Sequence, residues 1–145
     1  AQTIGLGKIS PMAKKLLEAT SGALEAGIRA TRAGVRLGDV SAAIQGYAEA
    51  RNFSIVREYS GHGVGRELHE DPQIPNFGVP GQGPMLRRGM TLAIEPMLTA
   101  GDWRTRVLEN QWTVVTLDGS LCGHFEHTVA VGDEGAEILT AQIKV

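Results

Sequence analysis

The sequence predicts an α+β fold with an antiparallel sheet. Two stretches of helical periodicity occupy the first third of the chain. Short β-rich pieces separated by Gly, Pro and Asp-Gly turn signals follow, and helices and strands do not alternate. Ser10-Pro11 reads as an N-cap with proline in the first helical turn. From there Leu16, Leu17, Thr20, Leu24 and Ile28 recur at helical spacing until Ala33-Gly34 closes the segment. A second helix opens near Gly38-Asp39, carries Val40, Ile44, Tyr47 and Ala48 on one face, and ends about Arg51, with Asn52 as terminator. Strand-like pieces are expected around 53–57, 91–95, 112–116, 124–131 and 136–140. The segment 70–89, with Pro72, Pro75, Pro80 and Pro84 among several glycines, is expected to be an irregular loop. Thr3 to Lys8 reads as an edge-like strand with nothing before it to pair with, which points to a cut through a larger domain.

Composition narrows the class. With 145 residues and 42% apolar content, one domain can bury a core. A net charge of −2 and a pI near 6.1 argue against nucleic-acid and anionic-membrane partners, and Arg87-Arg88 is too small a cluster to change that. No apolar run approaches the about 20 residues of a membrane span. The single cysteine, Cys122, rules out an internal disulfide and fits a reducing compartment, so the expected location is the cytoplasm.

The chemistry concentrates in three places. Gly61-His62-Gly63-Val64-Gly65-Arg66 leads to His69-Glu70-Asp71-Pro72, Glu95 stands in Ala93-Ile94-Glu95-Pro96-Met97, and Glu126 in Phe125-Glu126-His127-Thr128. The glycines around His62 let the backbone approach whatever the imidazole holds. Glu95 and Glu126 follow or interrupt apolar runs, and a carboxylate at a buried strand end is costly unless a cation or proton satisfies it. Two such carboxylates and a histidine indicate a metal. Glu70 is read as ordering its loop or neutralising Arg66, Trp103 as a hairpin or surface aromatic, and His124 and His127 as hydrogen-bonding or surface residues.

Together with Arg57-Glu58-Tyr59, Arg88-Gly89-Met90-Thr91 and Trp112-Thr113-Val114, these motifs in this order resemble the C-terminal part of type I, bacterial-type methionine aminopeptidases, members of the pita-bread metallopeptidases. The resemblance runs from Ala1 to about Thr140. It implies a curved antiparallel sheet with two helices on one face, lacking the N-terminal half of the fold, so that residues 1–145 form one partial catalytic domain. It also implies two divalent ions in a complete site, with Co, Mn, Fe and Zn all compatible with oxygen-rich ligation and one imidazole. His62 and Glu95 would ligate one ion and Glu126 would bridge both. The catalytic pair would be His69, against the scissile peptide, and Glu95, in proton transfer. Leu68, Met97, Trp112, His124 and His69 would meet the substrate.

The implied function is removal of N-terminal methionine from nascent proteins and peptides with a small second residue. Two aspartate ligands and a histidine lie upstream of the matching segment in relatives, so the chain alone is expected to be inactive. Self-association or a complementary N-terminal fragment is the expected assembly. Ser60 stands where relatives often carry cysteine, Leu68 where an aromatic is common, and His124 where a glutamine is found. The alternatives are a noncatalytic peptide- or protein-binding module of the same fold and a proline-directed metallopeptidase; Trp112 and the Glu-Pro-Met element speak against the latter.

Overall fold

The computed structural model describes residues 1–141; the last four residues of the expected domain span, 142–145, lie outside the described residues. Helix α1, Pro11–Ala30, begins where Ser10 Oγ accepts a hydrogen bond from the Ala13 amide at 3.1 Å. It ends three residues before the expected Ala33-Gly34. Thr31 takes an extended conformation and its hydroxyl donates to the Gly27 carbonyl at 2.8 Å, satisfying a terminal acceptor. Helix α2, Leu37–Glu49, starts one residue before Gly38, where the Asp39 carboxylate accepts from the Arg36 amide at 2.9 Å. Asn52 is the expected terminator, with φ of 61°.

Ten strands follow: β1 Ser54–Ile55, β2 Gly61–Gly63, β3 Glu70–Ile74, β4 Thr91–Ile94, β5 Met97–Thr99, β6 Thr105–Val107, β7 Val114–Thr116, β8 Cys122–His124, β9 His127–Val131 and β10 Ala136–Ile138. All pairings are antiparallel, in keeping with the pita-bread fold, and hydrogen bonding divides the strands into three sheets. One has the order β1-β5-β8, a second β10-β9-β4-β2-β3, and β6-β7 form a separate hairpin.

Three expectations need correction. The start of segment 70–89 is a strand, because β3 covers an edge of β2. Thr3 to Lys8 is not a strand. Gln2 forms an isolated bridge to Phe125, while Thr3 gives its amide to the His124 carbonyl at 3.0 Å and Ile4 and Leu6 stay exposed. The single strand expected over 124–131 is two strands in two different sheets, broken at Phe125-Glu126.

The core lies between the helices and the two larger sheets. Leu16, Ala23, Leu24, Val40 and Ile44 meet Leu92, Ile94, Leu98, Val129 and Val131, all nearly inaccessible to water. Helix α1 contacts β4, β5 and β8, so one helix backs both sheets where the chain passes between them. Among the described residues no helix is long and apolar enough to cross a membrane.

Ile94 is fully buried, immediately before Glu95. Replacing it with alanine is expected to cost about 2–5 kcal/mol, read from the shift of a urea unfolding midpoint. A loss well under that range would show that this contact does not anchor the strand.

Candidate metal centre

Strand register decides which side chains converge. His62 pairs with Ala93, and Ala93 pairs with Thr128. Directly paired residues point to the same face of a sheet, and so do residues two apart on one strand. Glu95 lies two beyond Ala93 and Glu126 two before Thr128, so His62, Glu95 and Glu126 share a face. The same parity carries His124, which pairs with Met97 across β5 and β8.

Both carboxylates occupy sheet crossings. At Glu95-Pro96 the chain leaves the five-stranded sheet for the three-stranded one, and at Phe125-Glu126 it returns. Ile94 pairs with His127 and Met97 with His124, so the two crossings lie side by side, joined by a hydrogen bond from the Phe125 amide to the Pro96 carbonyl at 3.4 Å. Asn76 is fully buried beneath them and donates from Nδ2 to the Glu95 carbonyl at 3.1 Å, while its Oδ1 has no partner.

The glycines around His62 have a structural reason as well. Strand β2 is held between β3 and β4, and a Cβ on Gly61 would strike the Ala93 carbonyl oxygen, one on Gly63 that of Asp71. They allow neighbouring strands to come close. His69 returns to His62 through the bends after β2, and the two ring centroids are 4.1 Å apart. Glu70 orders that return by accepting from the Glu67 amide at 2.9 Å.

The electrostatics suit a cation or a shared proton. His62 Nδ1 is 2.9 Å from the Gly63 carbonyl oxygen, which can only accept, so Nδ1 carries the proton in that bond. In the neutral imidazole Nε2 then presents a lone pair 3.5 Å from Glu95 Oε1. His124 Nε2 is 3.2 Å from Glu95 Oε2, unaligned for a hydrogen bond, and is buried without any hydrogen-bond partner. A carboxylate only 15% exposed, flanked by two imidazole nitrogens, fits a divalent ion or a shared proton. One ligand atom each from Glu95, His124 and Glu126 all lie within 4.8 Å of one another.

Beside this cluster lies a cavity of about 860 Å³, between the three-stranded sheet and the β6-β7 hairpin, lined by Val56, Tyr59, Met97, Leu121, Cys122 and His124 among others. Its rim is braced by Asp118, whose carboxylate accepts from the Asp102 and Ser120 amides at 2.7 and 2.9 Å and is drawn down to about 2 by those bonds. Asp102 is lowered as well, chiefly by the Arg104 amide. Burial pushes the Cys122 thiol up, although the residue as a whole is exposed, which makes it a poor nucleophile. Trp103 lies at the hairpin entrance with the Arg57 and Arg104 guanidinium groups over its ring.

The structure thus brings His62, Glu95, Glu126 and His69 together, and sets Met97 and His124 at the cavity. It does not bring Leu68 and Trp112 there: Leu68 is 70% and Trp112 87% exposed. Leu68 sits in the bends between β2 and β3, and Trp112 in the β6-β7 turn, which Asn110 closes through the Trp112 and Thr113 amides. Sequence reasoning missed Asn76 and the place of His124 in the cluster. The signal for His124 was its period-two offset from Glu126.

The profile of Metallopeptidase family M24 matches residues 1–133. Methionine aminopeptidase 1 of Bacillus subtilis is 54% identical over 140 residues, covering 97% of this chain and 56% of that protein. A crystal structure of methionine aminopeptidase from Thermotoga maritima superposes with a TM-score of 0.93 at 55% identity, covering 94% of this chain and 55% of the other. X-Pro aminopeptidase from Thermotoga maritima, at 21% identity and a TM-score of 0.69, shares the fold, with 98% of this chain covering 35% of it. The chain spans about half the length of the curated relatives it matches.

This arrangement predicts that the chain binds at most one divalent ion and that Glu126→Gln weakens binding by more than about tenfold, with binding falling at acidic pH as ligands protonate. Titration calorimetry checks both, and two tight sites per chain would refute the count.

Proposed function

This chain belongs to metallopeptidase family M24, and we propose that its site serves the hydrolytic removal of N-terminal methionine from peptides and nascent proteins whose second residue is small. The observation that carries the proposal is the convergence of His62, Glu95 and Glu126 on one face, with His124, against Glu95, lining an adjacent apolar cavity. The identity to methionine aminopeptidases supports the choice of substrate.

In this reading His62, Glu95 and Glu126 hold divalent metal, whose chemistry when bound is to lower the pKa of water and polarise the substrate carbonyl. Glu95 accepts a proton from the attacking water and returns it to the leaving amine as the C–N bond breaks and a C–O bond forms. His69, exposed and stacked at a tilt beside His62, donates a hydrogen bond to the developing oxyanion. The cavity walled by Met97 and His124 takes the unbranched thioether side chain. Leu68 and Trp112 are assigned no substrate contact. The activity is proposed for a domain in which the upstream ligands are supplied, and the 145 residues alone are expected to release no methionine.

With the N-terminal half of a relative fused in cis, Met-Gly and Met-Ala-Ser peptides are expected to be cleaved in preference to an Xaa-Pro peptide; the reverse preference would sink the proposal. His69→Ala in that fusion is expected to lower kcat by about 100-fold or more with metal content unchanged. Parallel loss of metal and rate would make His69 a ligand instead.

Association with a second copy or a complementary chain belongs to the same proposal, supported by exposed Ile4, Leu6 and Met12. Light scattering is expected to show a mass above that of one chain, and a monomer at every concentration would exclude self-association.

A further inference from the structure

Glu95 has an imidazole against each of its oxygens. Oε1 faces His62 Nε2 at 3.5 Å and Oε2 faces His124 Nε2 at 3.2 Å. Only His62 belongs to the ligand set that the sequence implied. His124 nevertheless has the ligand's geometry. Its Nε2 is buried and unpartnered, and a ligand atom of His124 groups with the Glu95 and Glu126 carboxylates within 4.8 Å. An ion with bonds of about 2.0–2.2 Å spaces its ligand atoms by roughly 3–4.4 Å, close to the spacing of this group, in which His124 Nε2 and Glu95 Oε2 are 3.2 Å apart.

The backbone of His124 is pinned from both sides. Its amide donates to the Thr3 hydroxyl oxygen at 2.9 Å, its carbonyl accepts from the Thr3 amide at 3.0 Å, and Met97 pairs with it on the opposite edge. The ring is therefore delivered to the cluster by strand geometry. A buried ring nitrogen without a hydrogen-bond partner is a cost that a metal ion removes by taking the nitrogen's lone pair. The side chain is about one-third exposed in total, so the cluster stays open toward the cavity.

We infer that His124 Nε2 is a ligand of a divalent ion held with Glu95 and Glu126, and that this imidazole beside two carboxylates biases the site toward nitrogen-preferring ions such as Zn²⁺ over Mn²⁺. The inference rests on the reading that Glu95 and Glu126 hold metal. It changes the metal chemistry of the site: carboxylates alone accommodate Mn²⁺ readily, and an imidazole beside them favours Zn²⁺. It also couples metal to substrate, because His124 is at once a wall of the cavity and a member of the cluster.

The test measures Zn²⁺ and Mn²⁺ affinities of the chain and of His124→Gln by competition with a chromophoric chelator, with thermal unfolding of the metal-free proteins to confirm folding. Glutamine keeps a polar side chain of similar reach and removes the imidazole. Zn²⁺ binding is expected to weaken at least about tenfold and Mn²⁺ binding less than about threefold. A Zn²⁺ change within about twofold, or equal losses for both ions, would overturn the inference, since a structural role moves both together. Should the variant misfold, ¹⁵N-histidine NMR of the unmutated chain decides: a coordination shift at His124 Nε2 on adding Zn²⁺ upholds the assignment, and none overturns it. Glu95→Gln and Glu126→Gln run alongside. If these abolish Zn²⁺ binding while His124→Gln is silent, only this inference fails; if they too are silent, the metal reading itself falls.

Discussion

Two adjacent sheet crossings govern this structure. The chain leaves the five-stranded sheet at Glu95-Pro96 and re-enters it at Phe125-Glu126, and the pairs Ile94 with His127 and Met97 with His124 keep those crossings in register. A one-residue slip in either pairing would turn a carboxylate to the opposite face. The buried layer of Leu92, Ile94, Leu98 and Val129 beneath helix α1 resists that slip, because moving any of these strands exposes apolar surface. Hydrophobic packing thus sets a polar geometry that the polar groups themselves would oppose.

That opposition is the second theme. Two carboxylates and two imidazoles are crowded into a partly buried space where at least one nitrogen lacks a partner. Such an arrangement stands in a fold only if the scaffold overrides it or a cation relieves it. The scaffold's share is visible in Asn76, which is fully buried and spends its amide on the Glu95 carbonyl, and in the Thr3 contacts that fix His124. These bonds hold backbone and engage none of the side-chain atoms of Glu95 and His124.

Much of this was legible in the residues. The helices follow from caps and periodicity, and Ser10, Pro11 and Asn52 do what their chemistry predicts. Helix ends were less legible: the Thr31 hydroxyl competes for a helix carbonyl and stops α1 early, a local bond that periodicity does not reveal. Strand β3 was hidden by its proline and by the glycines that follow it. It lies on the edge of its sheet, where a missing amide is tolerated.

By itself the sequence determined an α+β chain, an antiparallel sheet, and His62, Glu95 and Glu126 as the metal-binding candidates, because a histidine between glycines and carboxylates ending apolar runs are local signals. Only the tertiary structure decided that 124–131 is two strands in two sheets, that the glycines around His62 admit neighbouring strands, and that Leu68 and Trp112 stay in solvent while His124 joins the carboxylates. The physical reason is range. Periodicity and capping act within a few residues, whereas the site is set by pairings such as His62 with Ala93 and Ala93 with Thr128, which depend on how distant strands share one buried core.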